Sequence, residues 1–445
     1  MSHGKVIVFG VARPGFDTET ALRNYQATIA FLEQSGYEVI HCGDLVTDPD
    51  DAEKLALEYR TREACAVIFQ HATFTDGRFL TQVCQHIGLP LLLWSIPEAR
   101  VEGRLGLNSL TGINLAASLL VRMNRNFRYV LGIPGEAKVR TAVIAWLKAA
   151  AVAFQLQRST VAAVGNPPPG FFTSKVDHLQ LLNATGIKTV DMDLETLFQR
   201  ATQIAEDRSQ TAIQNISKIV TGVDALLPEQ VAKSTQFDLA LADWAKEAKV
   251  NAVAVRCWPE FFRDYQAAAC SGLSHLTEAG IPAACEADML GAVTMLIQYY
   301  LTGECTFLGD MVHIDPEQNS AVYWHCGVCP KPLASVKTGP VAGVQPNRNY
   351  GFAYDNGLKG GPVTVARLGY VAGGFRMLIV KGEAIDLPNR FWGASVEVKL
   401  ESKVREVFDF IIKQGYEHHF SLVWQDVSNE LIELCELLQI PYSVF

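Results

Sequence analysis

Two carboxylates one residue apart, Glu286 and Asp288, stand between a short apolar run ending at Ala284 and a longer one with helical spacing: Met289, Val293, Leu296, Ile297 and Tyr300. At a strand-to-helix junction both acids would point the same way, because alternate side chains of an extended segment share a face. They would then face the carboxyl edge of a sheet, where open α/β sheets bind ligands. Two acids there suit a divalent cation or a shared proton. The competing role is local: Asp288 N-caps the helix that follows and Glu286 favours its positive end. A third acid, Glu260, closes the run Arg256-Cys-Trp-Pro-Glu260 after another apolar strand. Late in the chain His418 and His419 are neighbours, and on a strand they would face opposite sides, one of them toward a pocket. Cys326 and Cys329 have C-x-x-C spacing, but no second pair accompanies them, which disfavours a zinc site.

The elements that must position these groups alternate. Residues 5–10, KVIVFG, form a β-branched run, and 17–35 carries helical spacing (Leu22, Tyr25, Ile29, Leu32). Strand-like and helix-like stretches then follow in turn to 94, the order that builds a doubly wound parallel sheet. Polar residues gather after these strands: Arg13, His71, Thr73, Trp94, Glu98, Arg104, Asn108 and Asn114. As a group they suit the rim of a polyol pocket, which needs donors, acceptors and an aromatic face. An Ala-rich helix over 135–157 leads to a second α/β unit with strands at 159–165, 188–191 and 252–256. Beyond 306 the texture changes, and 339–382, rich in Gly, Val and Thr, reads as an antiparallel β unit of barrel type. The expected architecture is α/β: two doubly wound parallel-sheet domains, 1–157 and 158–325, and a barrel-like β domain, 326–445.

Composition narrows the function. With 49% hydrophobic residues in 445, large cores can form. A net charge of −9 without any Lys/Arg cluster disfavours nucleic acid. The first strand is not followed by G-x-G-x-x-G, which disfavours a dinucleotide-dependent dehydrogenase. Apolar runs are read as too short to span a membrane, and the start MSHGKVIVFG enters directly into a strand, so a cytoplasmic protein with no membrane partner is expected.

In family order, Arg256-Cys-Trp-Pro-Glu260, Gly280-Ile-Pro-Ala-Ala-Cys-Glu-Ala-Asp288 with Leu290-Gly-Ala, Trp324-His-Cys-Gly327, Gly361-Pro-Val-Thr and His418-His419 resemble the L-fucose/L-arabinose isomerase family, in its shorter-chain branch. The resemblance covers nearly the whole chain. It implies an aldose–ketose isomerase working through an enediolate with a divalent metal, Mn²⁺ or alternatively Mg²⁺, held by a Glu, an Asp and a late His. Asp288 and His419 match the Asp and His; Glu260 is the local candidate for the Glu, with Asp264 and Glu286 as substitutes. Asp288, with Glu260 or Glu286, would move the proton. Arg13, Trp94, Arg104, Asn108, His325, Lys359 and Gln425 are the expected substrate contacts. The sugar stays open among a deoxyhexose, a pentose and an anionic hexose such as sulfoquinovose. An anionic sugar would call on Arg13, Arg104 or Gln425 away from the metal. Trp424-Gln425-Asp426 departs from the family pattern, where many members carry a Gly. The resemblance also implies a homo-oligomer, trimer or hexamer. A non-catalytic sugar-binding module on two α/β lobes is the alternative, and the late His419 and the β unit, which such a module does not need, count against it.

Overall fold

The computed structural model describes residues 4–371 and 373–445. By its internal contacts the chain divides into two compact units, residues 1–154 and 155–445. In the first, β1 (Lys5–Val11), β2 (Glu38–Ile40), β3 (Ala66–His71), β4 (Leu91–Ser95) and β5 (Arg128–Leu131) form a parallel sheet in the order β2-β1-β3-β4-β5. Its central strands are buried along their length and so carry uninterrupted apolar runs, as parallel strands covered on both faces do. The Ala137–Leu156 helix corrects one expectation. By length and composition it is apolar enough to cross a membrane, yet 56% of its apolar window is buried inside the fold, as in the core helix of a globular unit.

The second unit begins with another parallel sheet, β6 (Thr160–Val164), β7 (Lys188–Met192), β8 (Ala252–Val255) and β9 (Ala283–Ala284), in the order β7-β6-β8-β9. After the helix Met289–Thr302 the chain turns antiparallel. The strands are β10 (Phe307–Asp315), β11 (Ser320–His325), the separate hairpin β12 (Ala342–Gln345) and β13 (Tyr350–Tyr354), then β14 (Gly361–Val371), β15 (Gly374–Ile385), β16 (Ala394–Leu400) and β17 (His419–Val423). Six of them close on themselves in the order β14-β17-β10-β11-β16-β15, because β15 pairs back onto β14; β18 (Tyr442–Val444) extends β15 in parallel. The α/β class with two parallel sheets and a barrel-like antiparallel part is therefore observed. The runs read as short strands at 362–367 and 377–381 belong to one long hairpin of 11 and 12 residues.

Barrel packing sets the direction of the late histidine. Phe420 and Leu422 sit in the core cluster with Phe307, Tyr323, Val365 and Val380. Alternation along β17 then sends His419 and Ser421 to the other face, against the helix Met289–Thr302. That helix stops at Gly303, whose φ of 71° is the left-handed cap only glycine adopts without strain. Gln298, fully buried on the same helix, fastens it to two barrel strands. Its Nε2 donates to Thr364 O at 3.0 Å and Ser421 O at 3.3 Å, and its Oε1 accepts from Ser421 Oγ at 2.6 Å. Gln298→Ala removes these bonds and leaves a buried hydroxyl unpaired and a void. Urea denaturation should show a loss of about 2–4 kcal/mol; a loss below about 0.5 kcal/mol would contradict this role.

Candidate active site

The segment between β9 and its helix is a tight turn, and it sends the two acids apart. Glu286 and Ala287 both occupy the left-handed region, at φ 55° and 51°. Left-handed backbone costs a non-glycine residue roughly 1–2 kcal/mol. Two hydrogen bonds hold the turn: Ala287 N to Val255 O and Asp288 N to Cys285 O, each 3.0 Å. The expectation that Glu286 and Asp288 share a direction assumed extended backbone. With two left-handed residues, Glu286 lines a cavity and Asp288 enters the core, 1% exposed.

Asp288 joins three elements there. Its Oδ1 caps the helix by accepting from Gly291 N at 2.9 Å. Arg367 of β14, also buried, donates to Oδ2 at 2.5 Å and to Oδ1 at 3.1 Å. His419 Nδ1 donates to Oδ2 at 2.9 Å. Burial alone would raise the Asp288 carboxyl, but Arg367 and His419 outweigh it and hold it well below the usual carboxylate range. The carboxylate therefore stabilises the fold above the ordinary value near 4, and that contribution is lost only as pH falls through its lower folded value. The N-cap role and a role at the site coexist in this residue.

With Nδ1–H committed to Asp288, His419 turns its Nε2 lone pair to the opposite side. Facing that nitrogen are Glu286 Oε2 and Asp310 Oδ1, each at 3.7 Å. Asp310 is the cross-strand partner of His419 on β10 and of Trp324 on β11. Its Oδ1 is buried and accepts no hydrogen bond among the described residues. Glu286 is oriented from both sides: Trp258 Nε1 donates to Oε1 at 3.0 Å and His418 Nε2 to Oε2 at 3.1 Å. Burial raises Glu286, yet the hydrogen bonds from His418 and Trp258, together with the neighbouring imidazoles, outweigh it and bring its pKa below the ordinary value. His418 was expected on the far face. Since β17 starts only at His419, His418 lies in the preceding turn and also reaches Glu286.

These groups open onto a cavity of about 220 Å³ walled by Trp258, Trp324, His325, Phe262 and the β12–β13 hairpin residues Gln345, Asn347 and Arg348. Cys285 Sγ lies 2.6 Å from His325 Nε2 and Cys326 Sγ 3.6 Å from His325 Nδ1. Burial pulls His325 down, but Cys326 beside it outweighs this and pushes it up to about 9. Among the described residues, two groups of side chains are close enough to hold one ion: Glu286, His418 and His419, and Cys285, His325 and His419. The site is thus consistent with a divalent metal. Cys329 belongs to neither group; its thiol meets Asn356 Nδ2 at 3.4 Å.

Other residues expected at the site have local partners. Both oxygens of Glu260 are held by Arg256, at 2.7 and 2.6 Å, and that guanidinium lowers its pKa; Glu260 is not among the cavity's walls. Asp264 is clasped in the same way by Arg263. Lys359 stands 6.0 Å from the Trp424 ring, and Gln425 Nε2 donates to Glu304 Oε1 at 2.8 Å. In the first unit Trp94 is fully buried and donates to Gly132 O at 2.8 Å, and Arg104 braces Gly15 O at 3.0 Å. There Arg13 N donates to Thr73 Oγ1 at 2.7 Å, and Asn108 stands at a helix start with its N–H on Glu98. Sequence reasoning missed Asp310 and Arg367. The available signal was a lone charge inside an otherwise apolar strand, at Phe307-Leu-Gly-Asp310 and Val363-Thr-Val-Ala-Arg367.

Comparison with known proteins agrees with this geometry. Residues 325–445 match the family described as L-fucose isomerase, C-terminal domain. Over the full length the chain is similar to the sulfoquinovose isomerase of Priestia aryabhattai, at 35% identity covering 100% of both chains. It is 36% identical to the sulfoquinovose isomerase of Alkalicoccus urumqiensis over 98% of each chain, and 31% identical to that of Clostridium sp. (strain MSTE9) over 100% of each.

Arg367→Met strands the Asp288 charge in the core, and a buried charge deprived of its partner costs about 3–5 kcal/mol. Urea denaturation at neutral pH should show that loss. The double variant Asp288→Asn/Arg367→Met should lose less than the sum of the two single changes. An Arg367→Met protein within about 1 kcal/mol of the parent would contradict the pairing.

Proposed function

Because the chain belongs to the family of aldose–ketose isomerases that holds the sulfoquinovose isomerases and shares the L-fucose isomerase C-terminal domain, we propose that it interconverts sulfoquinovose and the corresponding 2-ketose by proton transfer at a divalent-cation site formed by Glu286, Asp310 and His419. One observation carries the ligand assignment. Asp310 Oδ1 is buried without a partner, 3.7 Å from His419 Nε2, which in turn is 3.7 Å from Glu286 Oε2. Two carboxylate oxygens thus face one imidazole nitrogen, and one of the two, Asp310 Oδ1, has no hydrogen bond among the described residues. Such a set suits Mn²⁺ or Mg²⁺ better than a thiophilic ion.

A cation held by Glu286, Asp310 and His419 would supply Lewis-acid polarisation of the sugar carbonyl. The rest falls to the chain. Asp288 fixes the ring of His419 and the tautomer that offers Nε2. Trp258 and His418 hold the Glu286 carboxylate so that its orientation is set before substrate arrives. Asp310, whose carboxylate is free of hydrogen bonds among the described residues, takes the proton from C2 and returns it to C1 through an enediolate, while the proton lost from O2 is matched by one gained at O1. Trp258 and Trp324 give the sugar aromatic walls. Asp288, buried against Arg367, does not reach the reacting atoms in this reading; it is a positioning residue.

The reading extends to a cytoplasmic homo-oligomer of trimeric or hexameric form. Apolar side chains left exposed on the first unit support the assembly, among them Val121, Tyr129 and Leu131.

Turnover of sulfoquinovose with Mn²⁺ in D₂O, followed by NMR, should place deuterium on C1 of the ketose. Chelation should silence the enzyme and Mn²⁺ restore it. Asp310→Asn should lower kcat by about a hundredfold or more. Full activity after exhaustive chelation, or an Asp310→Asn enzyme of normal kcat, would overturn the mechanism.

A further inference from the structure

The hairpin β12–β13 stands apart from both the barrel and the parallel sheet as a two-stranded piece of its own. Its base is anchored firmly. Gly351 N donates to Gln230 Oε1 at 2.7 Å, Phe352 N donates to Ser234 Oγ at 2.9 Å, and the Tyr350 ring lies 5.6 Å from Phe262 of the cavity wall. Its first strand and turn deliver Gln345, Asn347 and Arg348 to the same cavity that Glu286, Asp310 and His419 border. Neither the barrel core nor the cation site accounts for the polar groups it presents.

Two of these groups keep hydrogen-bonding capacity unused among the described residues. Gln345 is 6% exposed, and its Oε1 is buried without a hydrogen bond among the described residues. A buried acceptor left open is costly, and a sugar hydroxyl entering the cavity would satisfy it. Arg348 is exposed; its Nη1 donates to Asn347 O at 3.1 Å, and it makes no ion pair among the described residues. It is also the only arginine or lysine among the described residues that wall the cavity. Charge is divided between elements: the carboxylates come from the β9 turn and β10, the guanidinium from the hairpin. An anionic sugar tail is drawn to that guanidinium.

We propose that this hairpin determines specificity, with Arg348 gripping the sulfonate on C6 of the substrate and Gln345 accepting a hydroxyl from the same sugar. The inference rests on the reaction proposed above. A guanidinium presents paired N–H donors in a plane, which match two oxygens of a sulfonate as they match those of a phosphate or carboxylate. The residues that sequence reasoning offered for an anionic tail differ: Gln425 is bonded to Glu304 and does not wall this cavity.

The test measures steady-state kinetics of the Mn²⁺-loaded full chain and its Arg348→Met and Arg348→Lys variants. Sulfoquinovose is the anionic substrate, and 6-deoxyglucose, which carries no charge, is the neutral probe, as substrate or as competitive inhibitor. Arg348→Met should raise KM for sulfoquinovose by about ten- to a hundredfold while kcat changes far less, the effect of losing a hydrogen-bonded charge contact. Arg348→Lys should recover part of that loss. The preference for the anionic over the neutral sugar should fall by tenfold or more. Gln345→Leu should weaken both sugars together, since the hydroxyl is common to them. An unchanged KM in Arg348→Met, or an equal loss for both sugars, would overturn the role of Arg348 while leaving the isomerase reading intact. A parent enzyme that does not turn over sulfoquinovose at all would overturn both.

Discussion

The site depends on the tie between Asp288 and His419. A histidine can offer a lone pair from either nitrogen, and only a fixed partner on one of them decides which. Here a carboxylate 1% exposed accepts from Nδ1, and Nε2 is left facing Glu286 and Asp310. A buried carboxylate is itself unfavourable, and Arg367, equally buried, offsets it. Asp288 also caps the helix Met289–Thr302, so one group couples a helix start, a barrel strand and the His419 ring. Loosening any of the three would move the other two.

Around that tie the fold divides its tasks. The β9 turn carries two left-handed residues in sequence, a strain that the Val255 and Cys285 carbonyls hold in place. The strain separates two acids only one residue apart, giving one to the cavity and one to the core. The barrel supplies the opposite wall: adjacent strands place Asp310 beside His419 and Trp324 without any loop being involved. Sites built on strands hold their geometry more closely than sites built on loops. The hairpin β12–β13 is a separate two-stranded sheet, outside the ladder that holds Asp310 and His419.

Much of the architecture could be read from residue patterns. Parallel strands joined by helices must alternate in the sequence, so the two α/β sheets were visible as such. Gly303 marked its helix end because only glycine takes that cap easily. The barrel was visible as a change in texture, though not its closure: β14 and β15 read as short runs because Gly361, Gly369 and Gly374 dilute the apolar signal, and pairing between distant strands leaves no local mark. His419 was legible from its place in a late strand, and Glu286 from its place before a helix. Asp310 and Arg367 left only a lone charge in a largely apolar strand, a mark that does not name the partner each meets across the fold. Glu260 carried the stronger local pattern, but Arg256 four residues earlier claims both its oxygens.

The central claim is that the ion is held by Glu286, Asp310 and His419, with Asp288 acting through the histidine. Mn²⁺ binding followed by electron paramagnetic resonance, with metal content measured after dialysis, addresses it without recourse to turnover. The parent should bind one ion per chain, Asp310→Asn and Glu286→Gln should lose it, Asp288→Asn should weaken binding by about ten- to a hundredfold, and Glu260→Gln should keep it. An Asp310→Asn protein that binds Mn²⁺ like the parent, or a Glu260→Gln protein that does not bind it, would contradict the account.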